Sequence, residues 1–235
     1  MRIAIMQPYL FPYLGYFQLM EAADKFFLLD DVNFIKRGWV NRNNILLQHK
    51  PYRFTLPLQK VSQFRKINET LIAADEKWKS KFLATLHMAY HQSDYYDEVY
   101  ELVKSIIYSD DLNLAIFLQH SLERIKAYIG MKTPVIPISS AMPEGSQKGQ
   151  ERLLHICGVH GADEYINLPG GKHLYHAEDF SLGSVRLLFI EPHLAAYPQP
   201  QQEQFLAGLS IIDILMNNSR ESIMKMVKDY NIVPG

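Results

Sequence analysis

The side chains best suited to chemistry are concentrated between residues 30 and 43. This segment reads DDVNFIKRGWVNRN and combines two carboxylates with three cations: Asp30, Asp31, Lys36, Arg37 and Arg42. The cations could bind a phosphate or a carboxylate, and an arginine would do so through two parallel hydrogen bonds. The aspartates could bind a magnesium ion or orient an amine. A solvated surface loop whose charges compensate one another would have the same composition, so both interpretations stay open.

Three further segments follow predicted strands, and in open parallel sheets ligands bind beyond the carboxyl ends of the strands. Residues 7–16 read QPYLFPYLGY, residues 167–175 read NLPGGKHLY, and residues 197–199 read YPQ. A helix starting within the first segment would direct free backbone N–H groups at an anion. The first segment lacks both the GxGxxG and the GxxxxGK[ST] motifs. Gly170 and Gly171 give a ligand room to approach the backbone, although a plain turn explains them equally well.

The histidines and the cysteine carry weaker signals. His87 and His91 are four residues apart on a predicted helix, but no glutamate between them could act as the general base of a zinc protease. Cys157 lies among leucine and isoleucine residues, which is typical of a buried thiol rather than a nucleophile. The sequence therefore predicts no metal site.

The composition bounds the class of protein. A chain of 235 residues with 48% hydrophobic residues can bury a core without disulfides or metals, and we expect one domain over residues 1–235. The net charge of −1 provides no basic surface for nucleic acid. No segment has the ~20 consecutive apolar residues that span a bilayer. The single cysteine suits a reducing compartment, so we expect a cytoplasmic protein.

Hydrophobic periodicity predicts a chain of alternating strands and helices. Strands are predicted over residues 2–6, 25–29, 52–58, 135–138, 164–167 and 185–190. Helices are predicted over residues 14–22, 76–91, 94–107, 115–129, 150–157, 202–216 and 220–228. This order is typical of a doubly wound, mostly parallel α/β sheet of the Rossmann-like class, with the helices of residues 76–129 inserted or forming a cap.

Four separated blocks resemble the WbqC-like family of bacterial polysaccharide gene clusters. They read QPYLFPYLGYF, DDVNFIKRGWVNRNNI, YINLPGGKHLY and YPQPQQEQFLAGLSIIDILMNN. The resemblance implies a role in the biosynthesis of O-antigen or related surface glycans, with an amino sugar or a nucleotide-sugar as the small-molecule partner. It also implies these site residues: Gln7, Tyr16, Asp30, Asp31, Lys36, Arg37, Asn41, Arg42, Asn43, Asn167, Gly170, Gly171, Tyr175 and Gln199.

The first block also resembles the start of nucleotidylyltransferase-like domains, and pantothenate synthetase is similar in layout. Those domains carry His-x-Gly-His where this chain has Tyr13-Leu14-Gly15-Tyr16. The resemblance implies that residues 7–16 contact ATP, bound with magnesium, and that Gly15 lets the backbone approach the phosphates. Gln7 and Tyr16 would supply hydrogen bonds where that superfamily uses histidine, and Tyr13 is included among the substrate-binding residues.

The resemblance and the residues together favour an acyl or aminoacyl transferase, for example a glycyl transferase, acting on a nucleotide-linked amino sugar. Asp30 or Asp31 would accept the proton that the attacking amine loses. Donors for the carbonyl oxygen and for a diphosphate would come from Lys36, Arg37, Asn41 and Arg42.

The alternative function is a non-catalytic module that binds a nucleotide-sugar or a partner protein within a glycan assembly system. Residues 9–13 read YLFPY, and their aromatic side chains would form a stacking platform for a sugar or a contact for another protein. The same rings could instead belong to the core. A bound nucleotide-sugar without product formation would favour the module.

Overall fold

The computed structural model describes residues 1–142, 147–200 and 204–235. The strands within these ranges are β1 (Arg2–Met6), β2 (Lys25–Leu28), β3 (Arg42–Leu47), β4 (Lys50–Thr55), β5 (Val135–Pro137), β6 (Glu164–Asn167), β7 (Arg186–Pro192) and β8 (Tyr230–Pro234). The helices are α1 (Leu14–Glu21), α2 (Glu76–Tyr90), α3 (Tyr96–Ile107), α4 (Leu114–Ile129), α5 (Ile138–Ala141), α6 (Gly149–Val159), α7 (Ala177–Leu182), α8 (Ile211–Asn217) and α9 (Arg220–Val227). None of these helices is both long enough and apolar enough to cross a membrane.

The main sheet has six strands in the order β5-β2-β1-β6-β7-β8. The first five strands are parallel to one another, and β8 pairs with β7 in the antiparallel direction. The predicted Rossmann-like, mostly parallel sheet is therefore confirmed. The antiparallel strand β8 was not predicted.

Apolar side chains cover both faces of the sheet. In β1, Ala4 faces a large core with α1, α4, α8 and α9, whereas Ile3 and Ile5 face a smaller core with α6 and α7. This alternation follows from the two-residue period of a strand. Because both faces are buried, the parallel strands read as continuous apolar runs, which is why the sequence located them.

The strand predicted over residues 52–58 is wrong in its bounds and has no place in the main sheet. β4 ends at Thr55 and pairs with β3 in a separate antiparallel hairpin. Gln48 and His49 form its two-residue turn with positive φ angles of 49° and 64°, as such turns require. Gln-His is not a usual sequence for this turn, so the hairpin left no local signal. Residues 42–47, expected to begin in a loop, form its first strand.

The helices α2, α3 and α4 match the three predicted helices closely. α4 packs on β5 and α9, so it lies in the layer on the sheet and carries the chain back to it. Asn113 caps α4, because its Oδ1 accepts the N–H groups of Ala115 at 3.0 Å and Ile116 at 3.3 Å.

The helix predicted over residues 202–216 begins later than expected. α8 starts at Ile211, and the hydroxyl of Ser210 accepts the N–H of Ile212 at 3.3 Å as its cap. Gly208, with a φ of 74°, turns the chain just before this cap. Residues 201–203, where the prediction placed the start, lie outside the described residues.

Candidate functional site

A cleft opens at the carboxyl edge of the sheet between β1 and β6. β1 and β6 are neighbours in the sheet. The strand that follows β1, β2, lies on one side of this pair, and the strand that follows β6, β7, lies on the other side. Doubly wound sheets bind ligands at such a switch point. The cleft has a volume of about 670 Å³, and small-molecule sites usually measure ~300–1,000 Å³. Its lining comes from the ends of β1, β2 and β6 and from the start of α6.

Asn167, the last residue of β6, organises one wall of this cleft. Its Nδ2 donates to the hydroxyls of Tyr165 and Tyr175, at 2.9 Å each, and its Oδ1 accepts the N–H of Leu168 at 2.7 Å. Gly171 packs against the Asn167 and Tyr175 side chains. A Cβ added at Gly171 would be 3.1 Å from both the Asn167 amide and the Tyr175 ring. Burial raises the pKa of Tyr165 well above its ordinary value.

The start of α6 provides the features of an anion site. The first N–H groups of a helix have no acceptor within it, and the N-cap, Lys148, makes no side-chain hydrogen bond to the helix. Lys148, Gly149, Gln150 and Arg152 all line the cleft. The partial positive charge of a helix start favours a negatively charged group here.

Arg152 forms an ion pair with Asp31. Its Nη2 donates to Asp31 Oδ2, and the two side chains are 19% and 8% exposed. Oδ1 of Asp31 is buried and has no partner among the described residues. Asp31 itself lines a second cleft of about 330 Å³. The remaining residues of that lining are Lys66, Asn68, Glu69, Ser139 and Met142. The ion pair therefore joins the linings of two clefts.

Asp30 is held in the interior rather than presented to a ligand. It is 3% exposed. Its Oδ1 accepts the N–H of Ser139 at 2.9 Å, and its Oδ2 accepts the Ser139 hydroxyl. Its carbonyl oxygen accepts the N–H of Asn68 at 2.9 Å. Asp30 thus fixes two residues of the second cleft and is not itself in either lining.

Several sequence-predicted residues come together at the two clefts: Gln7, Asp31, Asn167, Gly170, Gly171 and Tyr175. Lys36 and Arg37 are exposed on the loop after Ile35, which lines the first cleft. They lie outside both linings.

The predicted ATP contacts at the start of α1 lie away from the clefts. Tyr16 is fully buried, and its hydroxyl donates to the carbonyl oxygen of Gln7 at 3.0 Å. An added Cβ at Gly15 would be 2.5 Å from the ring of Tyr13, so that ring occupies the space above the glycine. Tyr13 lines a separate apolar pocket beside Tyr197.

The predicted residues Asn41, Arg42 and Asn43 bond to the backbone. Asn41 and Arg42 donate to nearby carbonyl oxygens, at 2.8 Å each. Asn43 is buried, and its Nδ2 donates to the carbonyl oxygens of Leu10 at 3.2 Å and Phe11 at 2.7 Å. None of the three lines the clefts described above.

Gln199 belongs to a buried polar network centred on Asp213. Its Nε2 donates to Asp213 Oδ2 at 3.0 Å, and the hydroxyls of Tyr90 and Tyr197 donate to the same carboxylate at 2.7 and 2.6 Å. Burial raises the pKa of Asp213, and these three hydrogen bonds oppose the rise. Gln199 is therefore placed in the scaffold and not at the clefts.

Sequence reasoning missed Arg152, Lys148, Gln150, Asn68 and Ser139. The sequence did contain a signal for a binding site at the start of α6, because Lys148 and Gly149 directly precede the helix that was predicted after β5. The rule that ligands bind beyond the carboxyl ends of strands applies to this loop as well.

Among the described residues, the cysteine and the possible metal ligands give no further site. Cys157 is buried, as predicted, and burial raises the pKa of its thiol to about 12. In the part of the chain that the structure describes, no group of three or more His, Cys, Asp or Glu side chains is placed to hold a metal ion.

Comparison with known proteins assigns the chain to a family. The model of the WbqC-like protein family matches residues 7–225. The chain belongs to the WbqC-like protein family. A relative from Mycobacterium tuberculosis, Uncharacterized protein Rv1507c, is 28% identical over 225 residues, which cover 94% of this WbqC-like chain and 95% of that protein. No solved structure matches this chain. Gln7, Asp31, Arg152 and Asn167 all lie inside the family-matched range.

Proposed function

We propose that this WbqC-like protein is an acyl or aminoacyl transferase acting on a nucleotide-linked amino sugar in O-antigen or lipopolysaccharide biosynthesis. The observation that carries the proposal is the Asp31–Arg152 ion pair, which joins two clefts at the carboxyl edge of the sheet. An arginine that can bind a phosphate, next to a carboxylate that can accept a proton, supports transfer to the amine of a phosphorylated sugar. The glycan context rests on the family resemblance.

The first cleft would bind the nucleotide-sugar. Its diphosphate would lie at the start of α6, where Arg152 and the first N–H groups of the helix would provide donors. Apolar side chains of the lining, among them Tyr9, Leu168 and Leu174, would cover the base or the sugar ring. A mostly apolar lining with few polar groups is usual for small-molecule sites.

Asp31 is the stronger candidate for the base. In the transfer, the amine nitrogen attacks the carbonyl carbon of an activated acyl group, a C–N bond forms, and the leaving group departs with its bonding electrons. The nitrogen loses a proton to a carboxylate. Both oxygens of Asp30 accept hydrogen bonds from Ser139, whereas Asp31 Oδ1 has no donor among the described residues. Asp30 is therefore assigned a positioning role.

The acyl group must arrive activated, because hydroxide is a poor leaving group. The high pKa of Cys157 argues against a thioester on this chain. The co-substrate would then be an acyl-CoA, or a carboxylic acid activated with ATP and magnesium. Gln7 is the residue of the first block that lines the cleft and could contact a nucleotide.

Mass spectrometry of the reaction products tests the proposal. The protein is incubated with an amino-sugar nucleotide and either glycine or an acyl-CoA, with and without ATP. We expect a mass increase of one acyl or aminoacyl group on the sugar. Asp31→Asn should reduce turnover at least ~100-fold, the contribution typical of a general base.

A matched substitution identifies nonspecific effects. Asp97 is exposed in the first turn of α3, and Asp97→Asn should keep wild-type turnover. If a nucleotide-sugar raises the melting temperature but no donor yields product, the chain is the non-catalytic binding module instead. Full turnover in Asp31→Asn would contradict the role given to this carboxylate.

A further inference from the structure

We infer that the two clefts bind oppositely charged ligands together, because each ligand replaces one half of the Asp31–Arg152 ion pair. The first cleft takes a phosphate or diphosphate group, and the second takes a small molecule that carries a primary ammonium group. The inference rests on the proposed function for the reaction itself. It narrows the co-substrate from an acyl-CoA or an activated acid to an activated amino acid, which carries a primary ammonium group, and it adds the coupling between the two ligands.

Two acceptor oxygens in the lining of the second cleft have no hydrogen-bond donor among the described residues. Asp31 Oδ1 and Asn68 Oδ1 are both buried and have no partner among the described residues, and the Asp31 side chain is 92% buried. Buried acceptors without donors are rare and costly in native proteins. Glu69 adds a second carboxylate to the lining, and its Oε2 accepts the backbone N–H of Lys66 at 3.1 Å. An ammonium group, with three donors and no acceptor, supplies what these oxygens lack.

A divalent metal ion fits the same oxygens less well. Magnesium and calcium also prefer carboxylate and amide oxygens. However, Arg152 already lies beside Asp31 as its ion-pair partner. The positive charge of this guanidinium repels a dication more strongly than it repels a single ammonium charge.

Arg152 can exchange its partner Asp31 for an anion bound in the first cleft. Its Nη2 donates to Asp31, and a guanidinium has five N–H groups in total. The same side chain lines the first cleft beside the start of α6. An anion bound there competes with Asp31 for the guanidinium.

The ion pair makes the two binding events dependent on each other. An anion that takes Arg152 alone leaves the Asp31 carboxylate buried without a counter-charge, which is strongly unfavourable. An ammonium group in the second cleft restores that counter-charge. Each ligand therefore removes a cost that the other would meet, and the coupling is equal in both directions. We expect each ligand to tighten binding of the other about tenfold.

Two probes that do not react measure this coupling. Ethanolamine supplies the ammonium group and inorganic diphosphate supplies the anion. The Kd of ethanolamine is measured by ligand-observed NMR with and without saturating diphosphate, and it should fall about tenfold. Ethylene glycol, which has no charge, should show no such change. An ethanolamine Kd that is the same in both conditions overturns the inference, and so does tight magnesium binding that excludes ethanolamine.

Variants assign the coupling to the ion pair. Asp31→Asn should abolish the effect of diphosphate on ethanolamine binding while the protein still binds diphosphate. Asn68→Ala should weaken ethanolamine binding about tenfold and leave diphosphate binding unchanged. This variant keeps the backbone hydrogen bond from Asn68 to Asp30, so it tests the inference even if Asp31→Asn fails to fold.

The matched control removes an ion pair elsewhere. Arg186, the first residue of β7, pairs with Glu164 at the opposite edge of the sheet, and Arg186→Gln should leave the coupling intact. Equal loss of coupling in this variant contradicts the assignment to Arg152 and Asp31. Coupling without any product in the transfer assay overturns only the proposed function, whereas product without coupling overturns only this inference.

Discussion

At the scale of single residues, identical side chains serve different roles because different neighbours hold them. Asn43 and Asn167 are both asparagines predicted to bind substrate. The Asn167 amide orients two tyrosine hydroxyls in the wall of the first cleft. The Asn43 amide donates to two carbonyl oxygens beneath the hairpin. Residue type alone therefore does not separate a cleft residue from a scaffold residue.

The adjacent glycines of the cleft wall provide a matched pair of substitutions. Gly171→Ala brings a Cβ to 3.1 Å from the Asn167 amide and the Tyr175 ring, whereas nothing lies within 4 Å of a Cβ at Gly170. We expect Gly171→Ala to weaken binding of a nucleotide-sugar about tenfold, which is ~1.4 kcal/mol. Gly170→Ala should bind normally. Calorimetric titration measures both, and equal affinity in the two variants would contradict the role of this wall.

At the scale of elements, the hairpin and α8 together fix residues 7–16. Asn43 from β3 and Ser210 from the N-cap of α8 both donate to the carbonyl oxygen of Phe11, at 2.7 and 2.8 Å. The N–H of Leu10 donates to the carbonyl oxygen of Val40 at 3.0 Å. Both Leu10 and Phe11 are fully buried. These aromatic and apolar side chains are core, and Tyr9 is the member of residues 9–13 that lines the first cleft.

The hydrogen bonds between the hairpin and residues 7–16 predict that replacing Asn43 lowers the stability of the fold but does not change ligand binding. Asn43→Ala leaves the carbonyl oxygens of Leu10 and Phe11 with fewer donors, so we expect a loss of ~2 kcal/mol and a fall in Tm of ~5 °C. Asn44→Ala, which removes an exposed hydrogen bond to Arg53, should change Tm by less than ~2 °C. Thermal unfolding measures both variants. A loss of ligand affinity in folded Asn43→Ala would restore it as a binding residue.

At the scale of the whole molecule, the Asp213 network joins elements that are distant in sequence. Asp213 on α8 accepts hydrogen bonds from Tyr90 on α2 and from Tyr197 and Gln199 in the segment before α8. The Tyr90 hydroxyl in turn accepts the N–H of Leu46 in the hairpin at 3.1 Å. A single carboxylate thus connects the β3–β4 hairpin and α2 to the segment before α8 and to α8 itself.

The raised pKa of Asp213 makes its contribution to stability depend on pH. Because the folded-state pKa lies above the ordinary value of 3.8, the folded state binds more protons than the unfolded state between the two values. The contribution is then fully present below pH 3.8 and is lost as the pH rises through the folded-state pKa. We expect the difference in free energy of unfolding between wild type and Asp213→Asn to shrink as the pH rises in this window.

Urea unfolding at a series of pH values measures this difference. Tyr197→Phe removes one of the hydrogen bonds that oppose the rise in pKa, so the decline should extend to higher pH in that variant. A difference that grows with pH would mean that the hydrogen bonds outweigh burial and that the pKa of Asp213 is lowered.

The sequence alone determined the class of fold and most of its elements. Strands buried on both faces are short apolar runs, and packed helices repeat apolar residues every three or four positions. These are local patterns, so β1, β2, β6 and the helices α2 to α4 could be located before the structure was known. The rule that ligands bind beyond the carboxyl ends of strands led to Gln7, Asp31, Asn167 and Tyr175 for the same reason.

Only the tertiary structure decided which strands pair and which polar side chains meet. The β3–β4 hairpin turns at Gln48 and His49, a sequence without a local turn signal, and its pairing is a property of the folded chain. Arg152 and Asp31 are 121 residues apart. Their contact follows from the placement of β2 and the start of α6 at one edge of the sheet. The pattern of residues within either segment does not predict this contact, because the packing of the elements between the two segments brings Asp31 and Arg152 together.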